Sequence, residues 1–413
     1  MTGYWRRSLM VALGATALSA ASLTAATAGS SITTVPSGSW GVYKACSSTN
    51  TANCASVYSI TDIAGKVVLG GNFTDLLSPD GKTKIPMANM AELNETDGTP
   101  VAGFVPPALG GPVYRVASDG LNLYAGGHFP GNFAKIDPVT GTIVWRGQSN
   151  ATVYALLPVP ATGSLYVGGF MGAWRVDAGT GVRDPSFAPS FYVAASGGGA
   201  NAPFTTVGYG TYYVHGLAMS PDGTRLYVSG HFDSVNGVSQ RTIAAVDPAT
   251  GTHTDTSFLP ATDQSSIDPQ YQDGSEVIAA ADSNVLLCQA GHTQAIYKFG
   301  RLGKRLWSFH PTGDCQTVQL SPDAATVYIG GHMHHKTGSS DYSDHAMSFD
   351  YVTGAVQAWG SSGTPGFPPD YSPYYWGVWD LHFVNGDLWV GGLFLSVRSS
   401  GVSYSAPKVA VFR

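Results

Sequence analysis

Short apolar runs alternate along the chain with glycine, proline, aspartate and serine turns, and no segment keeps the 3.6-residue period of an amphipathic helix. Val214-His215-Gly216-Leu217-Ala218-Met219, closed by Ser220-Pro221-Asp222-Gly223, is typical. One element recurs: an apolar triplet, two small residues, then often His or Asn and an aromatic. It reads Val68-Leu69-Gly70-Gly71-Asn72-Phe73, Tyr124-Ala125-Gly126-Gly127-His128-Phe129, Tyr166-Val167-Gly168-Gly169-Phe170 and Tyr227-Val228-Ser229-Gly230-His231-Phe232. Weaker copies follow in Leu287 to His292, Tyr328 to His332 and Trp389 to Phe394. The first small residue falls at 70, 126, 168, 229, 290, 330 and 391, which makes seven units.

Each unit predicts four short strands. A strand and tight turn precede the element; after it comes a third strand that ends in D-x-x-T-G, at Asp137, Asp177, Asp247 and Asp350, then a short fourth strand such as Thr142 to Trp145. Pro, Asp and Gly set the backbone angles these turns need. Repeats of this size made only of strands predict an all-β, seven-bladed β-propeller. The seventh unit reaches only its third strand, Lys408 to Phe412, while Ser39 to Tyr43 is a spare strand ahead of the first unit. The expectation is a ring closed by this N-terminal strand, which would cover an open sheet edge.

The Tyr-Val-Gly-Gly-His-Phe element, the Ser-Pro-Asp-Gly turn and the D-x-x-T-G turn resemble the delta-60 repeat group of secreted bacterial β-propellers, from about Val57 to Phe412. The string around Trp145 is similar to quinoprotein repeats. The resemblance implies a fold and no uniform activity.

Arg6-Arg7, the apolar run Leu9 to Ala21 and Ala26-Thr27-Ala28 read as a signal peptide over residues 1–28, leaving 29–413 as one secreted domain. The run is too short for a permanent membrane span, and no other approaches that length. The whole chain carries a net charge of −6, an acidic balance that argues against nucleic acid as a partner. Four cysteines in an oxidising compartment predict two disulfides: Cys46 with Cys54, and Cys288 with Cys315.

The strand order puts the short turns on one face and the long connections on the other. Loops on a rigid scaffold commonly carry function, so the long-loop face is the expected binding face. Its aromatics, Tyr371, Tyr374, Tyr375, Trp376, Tyr209 and Tyr212, are candidate ligand contacts, weighed against a role in holding the loops together. His332, His334, His335 and His345 are weak metal candidates, because their spacing matches no ligand signature and His332 repeats the position of His128 and His231. A histidine recurring from unit to unit is expected to bond a backbone carbonyl. Arg115, Thr317, Asp380 and His382 fall at similar positions of the innermost strands and are expected to pair with one another.

No nucleophile elbow, zinc-protease motif or dinucleotide fingerprint occurs, and no cofactor is expected. The expected function is non-catalytic recognition of a cell-surface glycan or a secreted protein, lectin-like or protein-binding. The alternatives are an extracellular glycan lyase or hydrolase using His and Tyr of the long-loop face and, third, a quinoprotein-like dehydrogenase. Oligomeric state is not legible.

Overall fold

The computed structural model describes residues 32–45, 54–193, 212–253, 272–291, 294–334, 345–361, 364–368 and 377–413, with the single residues 258, 260 and 262. No α-helix occurs among them, and no helix is long and apolar enough to cross a membrane. The chain instead forms a succession of antiparallel meanders, each begun by an inner strand: Ser56–Ile63, Val113–Ser118, Val153–Val159, Tyr213–Met219, Gln272–Ala279, Thr312–Leu320 and Val378–Val384. We number these sheets one to seven.

Sheets two and five have a fourth strand, Ile143–Arg146 and Arg305–Phe309. The other expected fourth strands shrink to single bridges: Leu93 to Pro100, Val176 to Arg183, Val246 to His253 and Phe349 to Val356. The D-x-x-T-G turn before the fourth strand or bridge of sheets two, three, four and six holds because its aspartate caps it. Asp137 Oδ1 accepts the backbone N–H groups of Val139 and Thr140, and Asp350 Oδ1 those of Val352 and Thr353.

The paired small residues have a steric cause. A Cβ on Gly126 would lie 2.6 Å from Val153 Cγ1 of the next sheet, and one on Gly127 would lie 2.2 Å from the Pro112 carbonyl oxygen. The first glycine thus lets the next inner strand approach, and the second clears a backbone carbonyl. Core therefore forms between sheets. Val68 and Met90 of sheet one cluster with Val113 and Leu123 of sheet two. Val57 and Leu69 of sheet one likewise cluster with Trp389 and Val411 of sheet seven.

In sheet five the register corrects the sequence reading by two residues. Cys288, not Ala290, stands opposite Glu276, as Gly126 stands opposite Arg115. Cys288 is bonded to Cys315, which occupies the place that Val153 holds in sheet three. Cys54 is buried, and its expected partner Cys46 lies outside the described residues, as do residues 1–28.

The N-terminal segment joins sheet seven at a different place from the one expected. Gly41–Tyr43 pairs with Asp75–Leu77, where Val42 and Leu76 bury each other's side of a three-residue ladder. The residues alongside the last strand are Thr33 and Ser37, whose N–H groups donate to Arg413 O (3.0 Å) and Val411 O (2.8 Å). One segment thus ties the last strand to the loops of sheet one. Ser37→Pro removes a donor and strands the Val411 carbonyl, so it is expected to cost about 1–2 kcal/mol. A denaturant midpoint equal to that of a substitution at exposed Val35 would contradict the contact.

Candidate functional site

Every inner strand carries a β-bulge at the same point, between Val57 and Ser59, Val113 and Arg115, Val153 and Ala155, Val214 and Gly216, Gly274 and Glu276, Cys315 and Thr317, and Val378 and Asp380. A bulge leaves one residue unpaired and re-aims its side chain. The seven residues so displaced are Tyr58, Tyr114, Tyr154, His215, Ser275, Gln316 and Trp379, and all seven line one small opening of about 70 Å³ where the inner strands converge.

The opening has two unlike sides. From sheet seven to sheet four the rings run in an unbroken arc. Tyr58 meets Trp379 at 5.6 Å and Tyr114 at 5.3 Å between centroids, Tyr114 meets Tyr154 at 5.6 Å, and Tyr154 meets His215 at 4.7 Å. Most of these contacts are edge-to-face, an attractive geometry that stiffens the arc. Ser275 and Gln316 line the rest of the opening with polar groups. Burial pushes the hydroxyls of Tyr58, Tyr114 and Tyr154 above the ordinary phenol range, so they stay protonated.

Beneath lies a charged floor made by the residues just after the bulges. Arg115 Nη2 donates to Glu276 Oε1 (2.9 Å), while Thr317 Oγ1 (2.7 Å) and the Val318 N–H (2.9 Å) donate to Glu276 Oε2. Asp380 is buried; its carboxylate accepts the N–H groups of Ile60 (2.6 Å) and Leu381 (2.9 Å). Burial, then the neighbouring Glu276 charge, pushes the Asp380 carboxyl up to about 6, with Arg115 opposing both. Burial works against the Arg115 charge too, but Glu276 and Asp380 outweigh it and hold the guanidinium cationic. Arg115, Thr317 and Asp380 thus meet through Glu276. His382 does not join them; its Nε2 lies 2.8 Å from Asp62 Oδ1.

Tyr212 stacks on Phe191 at 6.1 Å and is half-buried beside the core of sheet four, a loop-supporting place. Tyr209, Tyr371, Tyr374, Tyr375, Trp376, His335 and the side chain of His334 lie outside the described residues. His345 is fully buried, with Nδ1 3.2 Å from the Gly331 carbonyl, and its ring stacks near His332 at 6.1 Å. The recurring histidines do not share one role. His128 Nδ1 reaches the Thr152 hydroxyl at 3.0 Å, and His231 stacks on Tyr213 at 5.3 Å. Among the described residues no three His, Cys, Asp or Glu side chains are grouped to hold a metal.

The sequence reading missed the bulge residues. Their signal was present as Val-aromatic pairs: Val57-Tyr58, Val113-Tyr114, Val153-Tyr154, Val214-His215 and Val378-Trp379.

No family model and no curated protein matches the sequence. Among solved structures the chain is similar to the WD40 β-propeller domain of Doa1. The identity is 12% and the TM-score 0.51, over 92% of this chain and 97% of that one. The likeness supports propeller-type repeats in general and does not single out the delta-60 group. At this identity it speaks for the fold alone.

Proposed function

We propose that the seven sheets are the blades of one closed propeller, and that the chain is a secreted, non-catalytic recognition protein that takes its ligand at the central aromatic opening. The observation that carries this is the set of seven bulges, each placing its displaced side chain around the same opening. Rigid aromatic rings give contact area at little entropic cost, and tyrosine and tryptophan dominate binding hot spots. Recognition fits these groups better than catalysis. The tyrosines are held protonated and suit hydrogen bonding rather than proton abstraction, while Glu276 already accepts Arg115, Thr317 and Val318. The secreted setting rests on the signal-like residues 1–28 and on the Cys288–Cys315 disulfide.

A glycan array beside a pull-down of extracellular proteins supplies the ligand. Trp379→Ala and Tyr114→Ala are then expected to weaken binding about thirtyfold each, about 2 kcal/mol. The partly exposed rings should cost less in stability than a fully buried one such as Trp389. Unchanged affinity in both folded variants would move the site away from the opening.

A further inference from the structure

We infer that the central opening takes a single uncharged sugar ring, the terminal residue of a glycan. This rests on the reading of the opening as the binding site and narrows it to one ligand class. The arc Trp379, Tyr58, Tyr114 and Tyr154 offers an apolar wall that ends in the His215 ring, and Ser275 and Gln316 offer polar groups on the other side. A pyranose is built the same way, with an apolar C–H face and a rim of hydroxyls, so it can use both sides at once.

Charge narrows the class. Arg115 and Glu276 both line the opening and lie 2.9 Å apart. A carboxylate entering to reach Arg115 meets the Glu276 charge, and an ammonium entering to reach Glu276 meets Arg115. A hydroxyl both donates and accepts, so it can answer either group without repulsion. Ser275 adds an independent sign. It is only 6% exposed and lines the opening, yet its hydroxyl has no hydrogen-bond partner among the described residues. A buried hydroxyl left this way favours a ligand that completes it. Position completes the case, since one displaced residue from each of the seven sheets faces the same opening, a geometry that meets the end of a glycan rather than a chain lying across it.

The test is calorimetric titration of the full secreted protein with neutral hexoses and N-acetylhexosamines, with galacturonate and glucosamine as charged counterparts, and with a cyclic oligosaccharide that has no terminal residue. One neutral sugar is expected to bind saturably. Its charged counterpart should bind at least tenfold more weakly, and the cyclic compound should not bind. Ser275→Val and, as a more exposed second variant, Gln316→Leu should each weaken the neutral sugar at least tenfold with the melting temperature retained. No saturable binding of any neutral sugar, or equal binding of a charged one, overturns the sugar assignment. If neutral sugars fail while a protein ligand is lost on Trp379→Ala, the sugar class falls and the opening stands. A sugar that binds regardless of Ser275→Val, Gln316→Leu and Trp379→Ala places its site elsewhere, and both readings fall together.

Discussion

Arg115→Met is expected to destabilise the protein by about 3–5 kcal/mol at pH 7.5, the cost of leaving buried carboxylates without their cation. Arg115 is the positive charge of the floor beneath the opening, bonded to Glu276, which is itself in contact with Thr317 beside Asp380. The loss is expected to shrink as the pH falls toward 4, because a protonated Asp380 carboxyl no longer needs the guanidinium. The intact protein should show a smaller effect of the same sense. Asp380 titrates at about 6 in the folded state against an ordinary 3.8. Its folded value is raised, so its contribution is fully present below pH 4 and is lost as the pH rises through 6, a span of about 3 kcal/mol. The turn aspartates Asp137, Asp177, Asp222 and Asp350 are held below the usual range by their turn hydrogen bonds, so their stabilising contributions fade only under more acid conditions. Urea titrations between pH 4 and 7.5 on the intact protein, Arg115→Met and Asp380→Asn check this. A stability that is flat across the window in the intact protein, or an Arg115→Met deficit that is the same at both ends, refutes the buried cluster.

Removing the Cys288–Cys315 bond by Cys288→Ala with Cys315→Ala is expected to cost about 3–4 kcal/mol, from the loop entropy of a 27-residue separation. The bond joins sheets five and six where other neighbours meet as glycine against valine, as in Gly126 with Val153 and Gly330 with Val378. Restoring that ordinary contact by Cys288→Gly with Cys315→Val should therefore recover part of the loss. Guanidinium midpoints of the three proteins decide it. If the glycine–valine protein is no more stable than the alanine one, the equivalence of the two contacts is wrong.

Repeat spacing, turn chemistry and the paired small residues were legible in the sequence because each is a local demand on the backbone. An aspartate that caps a D-x-x-T-G turn does so with its own neighbours, and Gly126 is small because a strand one unit later approaches it. The all-β character and the inner strands follow from such signals. Ser37 joining the last strand does not, since Trp40 to Tyr43 is the better strand by composition. Yet Gly41–Tyr43 takes its ladder with Asp75–Leu77, in the connection within sheet one, and reaches toward the last strand with the Val42 N–H, which donates to Pro407 O.

The opening was decided by tertiary structure for a more specific reason. Along a regular strand side chains alternate, so Tyr58 between Val57 and Ser59 reads as facing away from both. The bulge breaks that alternation, and the Val-aromatic pairs that occur at five of the seven places give way to Gly274-Ser275 and Cys315-Gln316 at the other two, so the pair does not by itself announce a bulge. Likewise Arg115 and Glu276 are 161 residues apart and become a pair only because the inner strands of sheets two and five converge. The sequence by itself determined most of the inner strands and turns and how they repeat, but not the fourth strands, most of which shrink to single bridges. Where seven displaced side chains meet, and which charges lie beneath them, depended on non-local register and on the convergence of strands far apart in the chain.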